Sequence, residues 1–233
     1  MKPPSSTLNE RSLDSGQRTR EDRIFPSILL STVEFVVVVT FVEEIILGAR
    51  MPLTNRRGFG CALLTHALLV EPIYYWAHRL MHWRGVYKFM HKHHHLSVVP
   101  RPLTAVSFLW SEHVIYDVLF CLNMLIPSLM GHGSYALWCS WIAFALDLPN
   151  AFGHLNFEVL PAWWLDSPFF PFFYNVTYHH VHHAYVNYNY ALFMPISASV
   201  ARDEVREIRA LPRRKGSREE DSRSSSFAGP SGT

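Results

Sequence analysis

The stretch EPIYYWAHRLMH, Glu71 to His82, decides how this chain folds. It ends a longer apolar run that starts with FGCALLTHALLV at residue 59, and it closes on two histidines four residues apart, His78 and His82. About 20 mostly apolar residues suffice for a helix to cross a bilayer. On a helix, side chains three or four positions apart share a face about one turn apart, the separation at which two imidazoles can share a metal ion. An apolar helix that delivers such a pair at its end predicts a membrane protein with its chemistry at the membrane surface.

Three further apolar runs lie at 24–47, 105–130 and 134–152. Each is interrupted by ionisable residues: Glu34, Glu43 and Glu44 in the first, Glu112, His113 and Asp117 in the third, and Asp147 in the fourth. His66 and Glu71 do the same in the run at 59–77. Such groups are costly at membrane depth and face a bundle interior or a water-filled site. The expectation is an all-α integral membrane four-helix bundle, two hairpins with a cytosolic His-rich cap. The segment from Phe157 to Tyr174, rich in proline and aromatic residues, is too Pro-rich for a spanning helix and reads as interfacial.

The composition hides this division. Over 233 residues the chain is 49% hydrophobic with a formal net charge of +2. Residues 1–23 carry nine charges and residues 201–233 carry fourteen, which leaves 17 in the 177 residues of 24–200, together with all 14 histidines. The expected organisation is a disordered N-terminal tail (1–23), a membrane domain (24–200) and a disordered charged C-terminal tail (201–233). Net charge excludes a nucleic-acid binder driven by basicity. The scattered cysteines Cys61, Cys121 and Cys139 exclude a disulfide scaffold and read as buried free thiols. Two hairpins place 18 of the 21 basic residues on one side, against Arg50, Arg56 and Arg57 on the other. The positive-inside rule makes the 18-residue side cytosolic. The sequon Asn175-Val176-Thr177 falls on that side and is expected to be unglycosylated.

The same side carries three histidine clusters: His78 and His82 (HxxxH), His91, His94 and His95 (HxxHH), and His179, His182 and His183 (HxxHH). Together with His154 in GHLNFE, these are nine candidate metal ligands. Eight or nine imidazoles without a nearby thiolate suit two ions with open positions better than a closed structural zinc site. Imidazole accepts iron, zinc, copper or nickel, so the spacing does not choose among them. His93 and His180 read as supporting residues or solvent-facing, His66 as a hydrogen-bonded core histidine and His132 as a loop residue, while His113 stays open. Glu71, Glu112, Asp117, Asp147, Glu158 and Asp166 are candidates to accept the second N–H of a ligand imidazole.

The order HxxxH, HxxHH, HxxHH on four apolar helices resembles the fatty acid hydroxylase / sterol desaturase superfamily. The strings EPIYYWAHRLMH (71–82), GHLNFEVLP (153–161) and YHHVHHAYVNYNYALFMP (178–195) look most like its plant wax-alkane, eceriferum-type branch. The chain departs from the family at Phe108, where many relatives have a His-Pro pair, and after Pro195, where Ile196-Ser197-Ala198-Ser199 follows. The large C-terminal domain of the wax-alkane branch is expected to be absent. The resemblance implies a di-iron centre, with zinc as a possible substitute, on the eight motif histidines and His154. It further implies residence in the endoplasmic reticulum, O2-dependent oxidation of a lipid substrate, and electrons from a cytochrome b5 or an NAD(P)H-dependent reductase. The expected enzyme is thus an iron-dependent lipid hydroxylase or desaturase acting on an acyl chain or sterol. Two alternatives stay open: cleavage of a fatty aldehyde to an alkane, and a non-catalytic membrane partner of a longer relative.

Overall fold

Each of the four apolar runs folds as one helical rod. The computed structural model describes residues 24–47, 51–97, 100–165, 167–169, 174–195 and 197. The tails expected at 1–23 and 201–233 lie outside the described residues, as do Arg50 and Asp166. The first rod is α1 (Ile24–Phe41) with a π-helical end, Val42–Leu47. The second joins α2 (Gly58–Thr65), a π segment (His66–Val70) and α3 (Glu71–Met81), of 8, 5 and 11 residues, on the order of 36 Å at 1.5 Å per residue. After the short α4 (Arg84–Met90) and two 3-10 turns, His94–Leu96 and Pro102–Val106, the third rod runs as α5 (Trp110–Phe120) and α6 (Leu122–Leu129). The fourth joins α7 (Tyr135–Ser140), a π segment (Trp141–Asp147) and α8 (Leu148–Gly153). Next among the described residues come α9 (Ala162–Leu165) and α10 (Val176–Tyr185). There is no strand among the described residues. Trp110–Leu129 is the one helix among them long and apolar enough to cross a membrane by length and composition.

The π segments lie where the sequence interrupts its apolar runs. One contains Glu43 and Glu44, one starts at His66 and leads into Glu71, and one ends at Asp147. Two of them directly precede a helix with a proline in its first turn, Pro72 and Pro149. A proline ring collides with the carbonyl four residues back in a regular helix; the wider π turn moves that carbonyl aside. The Glu71 N–H accordingly bonds His66 O, five residues back. Glu43 is buried because both its oxygens are used: Met51 N donates to Oε1 (3.2 Å) and the Tyr135 hydroxyl donates to Oε2 (2.5 Å).

α1 packs along α5, α2 against α6, and α8 against both the Pro102–Val106 turn and α10. The two inter-rod turns meet at one end of the bundle: Asn55 Nδ2 donates to Gly131 O (3.2 Å), Tyr135 N to Pro52 O (3.1 Å) and Ala136 N to Leu53 O (2.9 Å). Gly131, at φ 74°, adopts the left-handed conformation that the tight turn between α6 and α7 needs. Ala62, Val70, Tyr74, Met81, Tyr116, Leu119, Trp141 and Leu146 form a core joining the second, third and fourth rods. With the turns gathered at one end, the histidines at the rods' other ends are brought to a common place.

One sequence expectation is corrected here. All three cysteines are free, but only Cys121 is buried; Cys61 is half-buried and Cys139 is exposed. Cys139 follows the buried Trp138 by one position, and a step of one turns a helical side chain about 100° away from the core.

Candidate metal centre

The end of α3 supplies His78 and His82. Trp83, in extended conformation, breaks the helix, and α4 returns the chain so that His91 stands at its C-terminal end. His94 and His95 follow on the 3-10 turn. His154 is the residue after α8, and His179, His182 and His183 lie on α10. Asn175 starts α10, its side-chain oxygen accepting Tyr178 N at 2.8 Å. Gly153 lets α8 end against Tyr174, since a Cβ there would overlap the Tyr174 hydroxyl.

These nine imidazoles fall into two groups. His78, His82, His91, His95 and His182 form one; His94, His154, His179 and His183 form the other, each with its potential ligand atoms within 4.8 Å of one another. His78 Nε2 lies 2.9 Å from His91 Nε2 and 3.3 Å from His82 Nε2. In the second group His154 Nε2 lies 3.3 Å from His94 Nε2 and 3.1 Å from His179 Nε2, which is 3.1 Å from His183 Nε2. Metal–nitrogen bonds of about 2.0–2.1 Å put neighbouring ligand atoms about 2.9–3.4 Å apart at ordinary coordination angles.

The tautomers strengthen this fit. A backbone carbonyl only accepts, so His78 Nδ1 donates to Tyr190 O (2.9 Å), His154 Nδ1 to Asn150 O (2.8 Å) and His182 Nδ1 to Tyr188 O (2.6 Å). Each Nε2 is then a bare lone pair facing inward. His91 Nδ1 donates to Glu112 Oε1 at 2.5 Å, and the same oxygen accepts the Tyr116 hydroxyl at 3.0 Å. The His78 and His91 Nε2 lone pairs thus face each other at 2.9 Å, an arrangement that repels unless a cation lies between them. His95 Nε2 and His182 Nε2 are buried without any hydrogen-bond partner, as expected of atoms meant to coordinate.

Burial holds the imidazoles neutral, the form that binds metal. It pushes His78 and His154 down to about 4, outweighing the carbonyl bonds that favour their charged forms. His82, His91, His94, His95, His179, His182 and His183 are all held well below the ordinary value, by burial first and neighbouring imidazoles second.

All nine histidines singled out from the sequence converge, while the remaining ones stand apart. His66 is buried between Glu71 Oε1 (3.2 Å) and Asn123 Nδ2 (3.2 Å). His93 Nε2 approaches the Ser107 hydroxyl at 3.5 Å, His180 is buried outside both groups, and His113 borders a cavity beside the centre. Of the acidic candidates, only Glu112 touches one of the nine among the described residues. Glu71 serves His66 and Phe193 N, and Glu158 accepts the backbone N–H groups of Val159, Leu160 and Thr177. Asp117 and Asp147 border the cavity.

The backbone acceptors Tyr188, Tyr190 and Asn150 escape the sequence reading because every residue has a carbonyl. The returning stretch is visible only as conformation: Val186 and Asn189 are left-handed at φ 65° and 58°, costly for a β-branched residue. That bend brings the Tyr188 and Tyr190 carbonyls back over His182 and His78.

Helices without a strand among the described residues, gathering two buried imidazole groups that could each hold a metal ion, define a class of histidine-cluster folds. More narrowly, residues 63–200 match the fatty acid hydroxylase family, and the chain belongs to that family. It is 35% identical over 192 residues to the very-long-chain aldehyde decarbonylase GL1-7 of Oryza sativa subsp. japonica, covering 80% of this chain and 29% of that relative. To the very-long-chain aldehyde decarbonylase CER1 of Arabidopsis thaliana it is 32% identical over 189 residues, 80% of this chain and 30% of the relative. To protein CER1-like 1 of the same plant it is 39% identical over 151 residues, 64% of this chain and 24% of the relative. The chain therefore spans less than a third of the length of these relatives. No solved structure matches it.

Proposed function

We propose that this chain is a membrane-embedded lipid oxidoreductase with a non-haem di-iron centre, one iron held by His78, His82, His91, His95 and His182 and the other by His94, His154, His179 and His183. The observation that carries the reading is the set of converging Nε2 atoms, 2.9–3.3 Å apart in two groups. When bound, the irons supply the O2 chemistry needed to attack an unactivated C–H bond, which no side chain can perform. Zinc would fill the same nitrogens without the redox chemistry.

The protein's own part is to bind, orient and exclude water. A cavity of about 380 Å3 adjoins the centre, bordered by His78, His91, His94 and His179 and by apolar side chains such as Phe108, Phe120 and Leu192. It accepts an aliphatic chain and keeps water from the reacting carbon. The carbon presented to the centre decides between hydroxylation and desaturation. Glu112 and the three carbonyls hold the Nδ1 protons of His91, His78, His154 and His182, so the Nε2 of each of these four stays available.

Four rods crossing the bilayer account for large apolar side chains left exposed along them, among them Phe25, Val37, Leu64, Leu68, Val118 and Phe144. The charge distribution supports a cytosolic histidine end, and the family resemblance supports residence in the endoplasmic reticulum membrane, with electrons from a cytochrome b5 or an NAD(P)H-dependent reductase.

The test is metal content together with turnover. Two irons per purified chain are expected, with iron and lipid oxidation lost in parallel in His94→Ala and His182→Ala, one from each group. A protein that takes up no iron overturns the proposal. A second reading, cleavage of a very-long-chain aldehyde to an alkane, is favoured by the names of the relatives. Gas chromatography of lipids from expressing cells separates alkanes from hydroxylated or desaturated products.

A further inference from the structure

Two cavities lie side by side in the bundle, and Phe193 is the only described residue that borders both. The first, about 380 Å3, adjoins the histidine centre. The second, about 650 Å3, is more open and is bordered by Leu63, Phe152, Val159 and Leu160 among others. The fourth rod also borders both cavities. Trp138, Ile142, Leu146 and Asn150, four residues apart and so on one helical face, border the first cavity. Trp141, Leu148, Pro149 and Phe152 border the second.

The second cavity suits hydrocarbon. Its bordering residues include no lysine or arginine and are mostly apolar; of the polar ones, His66 and Glu71 bond each other and the Asn175 oxygen caps α10, while Glu71 Oε2 and Asn175 Nδ2 are buried without a hydrogen-bond partner. An anionic headgroup finds no lysine or arginine there, whereas the apolar majority of the lining suits an alkyl chain. Each cavity alone falls within the roughly 300–1,000 Å3 of ordinary ligand sites, and the two in series suit a ligand longer than either can hold.

Phe193 is built as a partition. Its backbone is held on both sides, N donating to Glu71 Oε1 (3.0 Å) and O accepting Tyr174 N (3.0 Å). Its half-buried ring stacks on His66 (6.2 Å, 14°) and meets Tyr174 edge-on (5.3 Å, 85°). Neither partner ring belongs to the nine-histidine set.

We infer that one long alkyl chain occupies both cavities in series, its reacting end at the histidine centre and its tail past Phe193 in the second cavity, so that the Phe193 ring sets the accepted chain length. This rests on the lipid-oxidation reading above and adds to it a residue that selects the substrate.

The experiment uses the full chain, iron-loaded in lipid nanodiscs, with two probes: a short-chain and a very-long-chain saturated fatty aldehyde, each with a terminal diazirine. Photolabelled peptides are read by mass spectrometry in the wild type, Phe193→Ala and Phe193→Trp. The long probe should label the Phe152 and Leu160 region, the short probe the Phe120 and Ile142 region. Phe193→Trp should lower long-probe labelling of the second cavity about tenfold or more, the scale of a steric mismatch in an apolar site, while short-probe labelling persists. Phe193→Ala should raise it. Iron content and helicity check that each variant folds, with Phe193→Tyr as a milder enlargement if the Trp variant does not. The inference is overturned if long-probe labelling is insensitive to all substitutions, or if the long probe labels only the first cavity in the wild type. Iron-loaded protein labelled by neither probe overturns the lipid reading as well.

Discussion

Glu112 offers the sharpest test of how the centre is held. It is fully buried on α5 and is the one carboxylate touching a proposed ligand among the described residues. Its Oε1 takes two hydrogens, from His91 Nδ1 and from the Tyr116 hydroxyl, and Tyr116 in turn accepts from Tyr74 at 3.5 Å. Replacing it with leucine keeps the approximate volume but leaves two buried donors without an acceptor, at about 1–3 kcal/mol each. It also frees His91 to rotate and lowers the basicity of its Nε2. Loss of such a supporting partner typically weakens metal affinity about 10–100-fold, or roughly 1.4–2.7 kcal/mol. Glu112→Gln keeps a carbonyl oxygen for His91 and should lose less than Glu112→Leu. Tyr116→Phe leaves His91 bonded and should lose least. The assay is equilibrium competition for iron(II) against a chelator series under anaerobic conditions, with iron per chain read by mass spectrometry and helicity by circular dichroism. If Glu112→Leu keeps its helicity and retains iron against the same chelator concentration as the wild type, the supporting role of Glu112 is refuted.

Four more outcomes are expected. The metal-free protein should lose stability as pH falls: His78 and His154, held at about 4 against an ordinary 6.5, stay neutral in the fold while the unfolded chain takes up protons. Stability is therefore full above about 6.5 and declines between about 6.5 and 4; thermal melts that are flat across that window would contradict the neutral, buried centre. Gly153→Ala forces a methyl group into the Tyr174 hydroxyl and should lower the melting temperature and the iron content together, with Tyr174→Phe in the same chain restoring part of both; unchanged iron content rejects the role of this contact in placing His154. Asn175→Ala removes the α10 cap and should destabilise by about 1 kcal/mol in chemical denaturation, whereas Asn175→Asp keeps the acceptor and much of the stability. Intact-mass measurement of protein from a eukaryotic host should show no glycan at Asn175.

The histidine spacing made the centre readable because a helix converts intervals of three and four into a shared face without tertiary information. The same local rule placed the rods, since long apolar runs leave the backbone to satisfy itself. It failed for the supporting groups. Six acidic residues were plausible partners on chemistry alone, and Glu112 is the one observed at a ligand because the third rod brings it, by packing, to the end of α4. Glu71, next in line by sequence, instead spends its oxygen on His66 and Phe193 N.

By itself, then, the sequence determined an all-helical chain with nine clustered imidazoles at the ends of apolar helices, because helical period and hydrophobicity are local properties. Only the tertiary structure decided how those nine divide, five and four, with His94 parted from its neighbour His95 and His182 from His183. Adjacent residues on one turn point about 100° apart, so neighbours in sequence serve different groups while residues 104 apart, His78 and His182, serve the same one. The carbonyls that fix the tautomers of His78, His154 and His182 and the ring that borders both cavities were likewise settled by packing, because backbone direction and cavity shape are properties of the assembled helices.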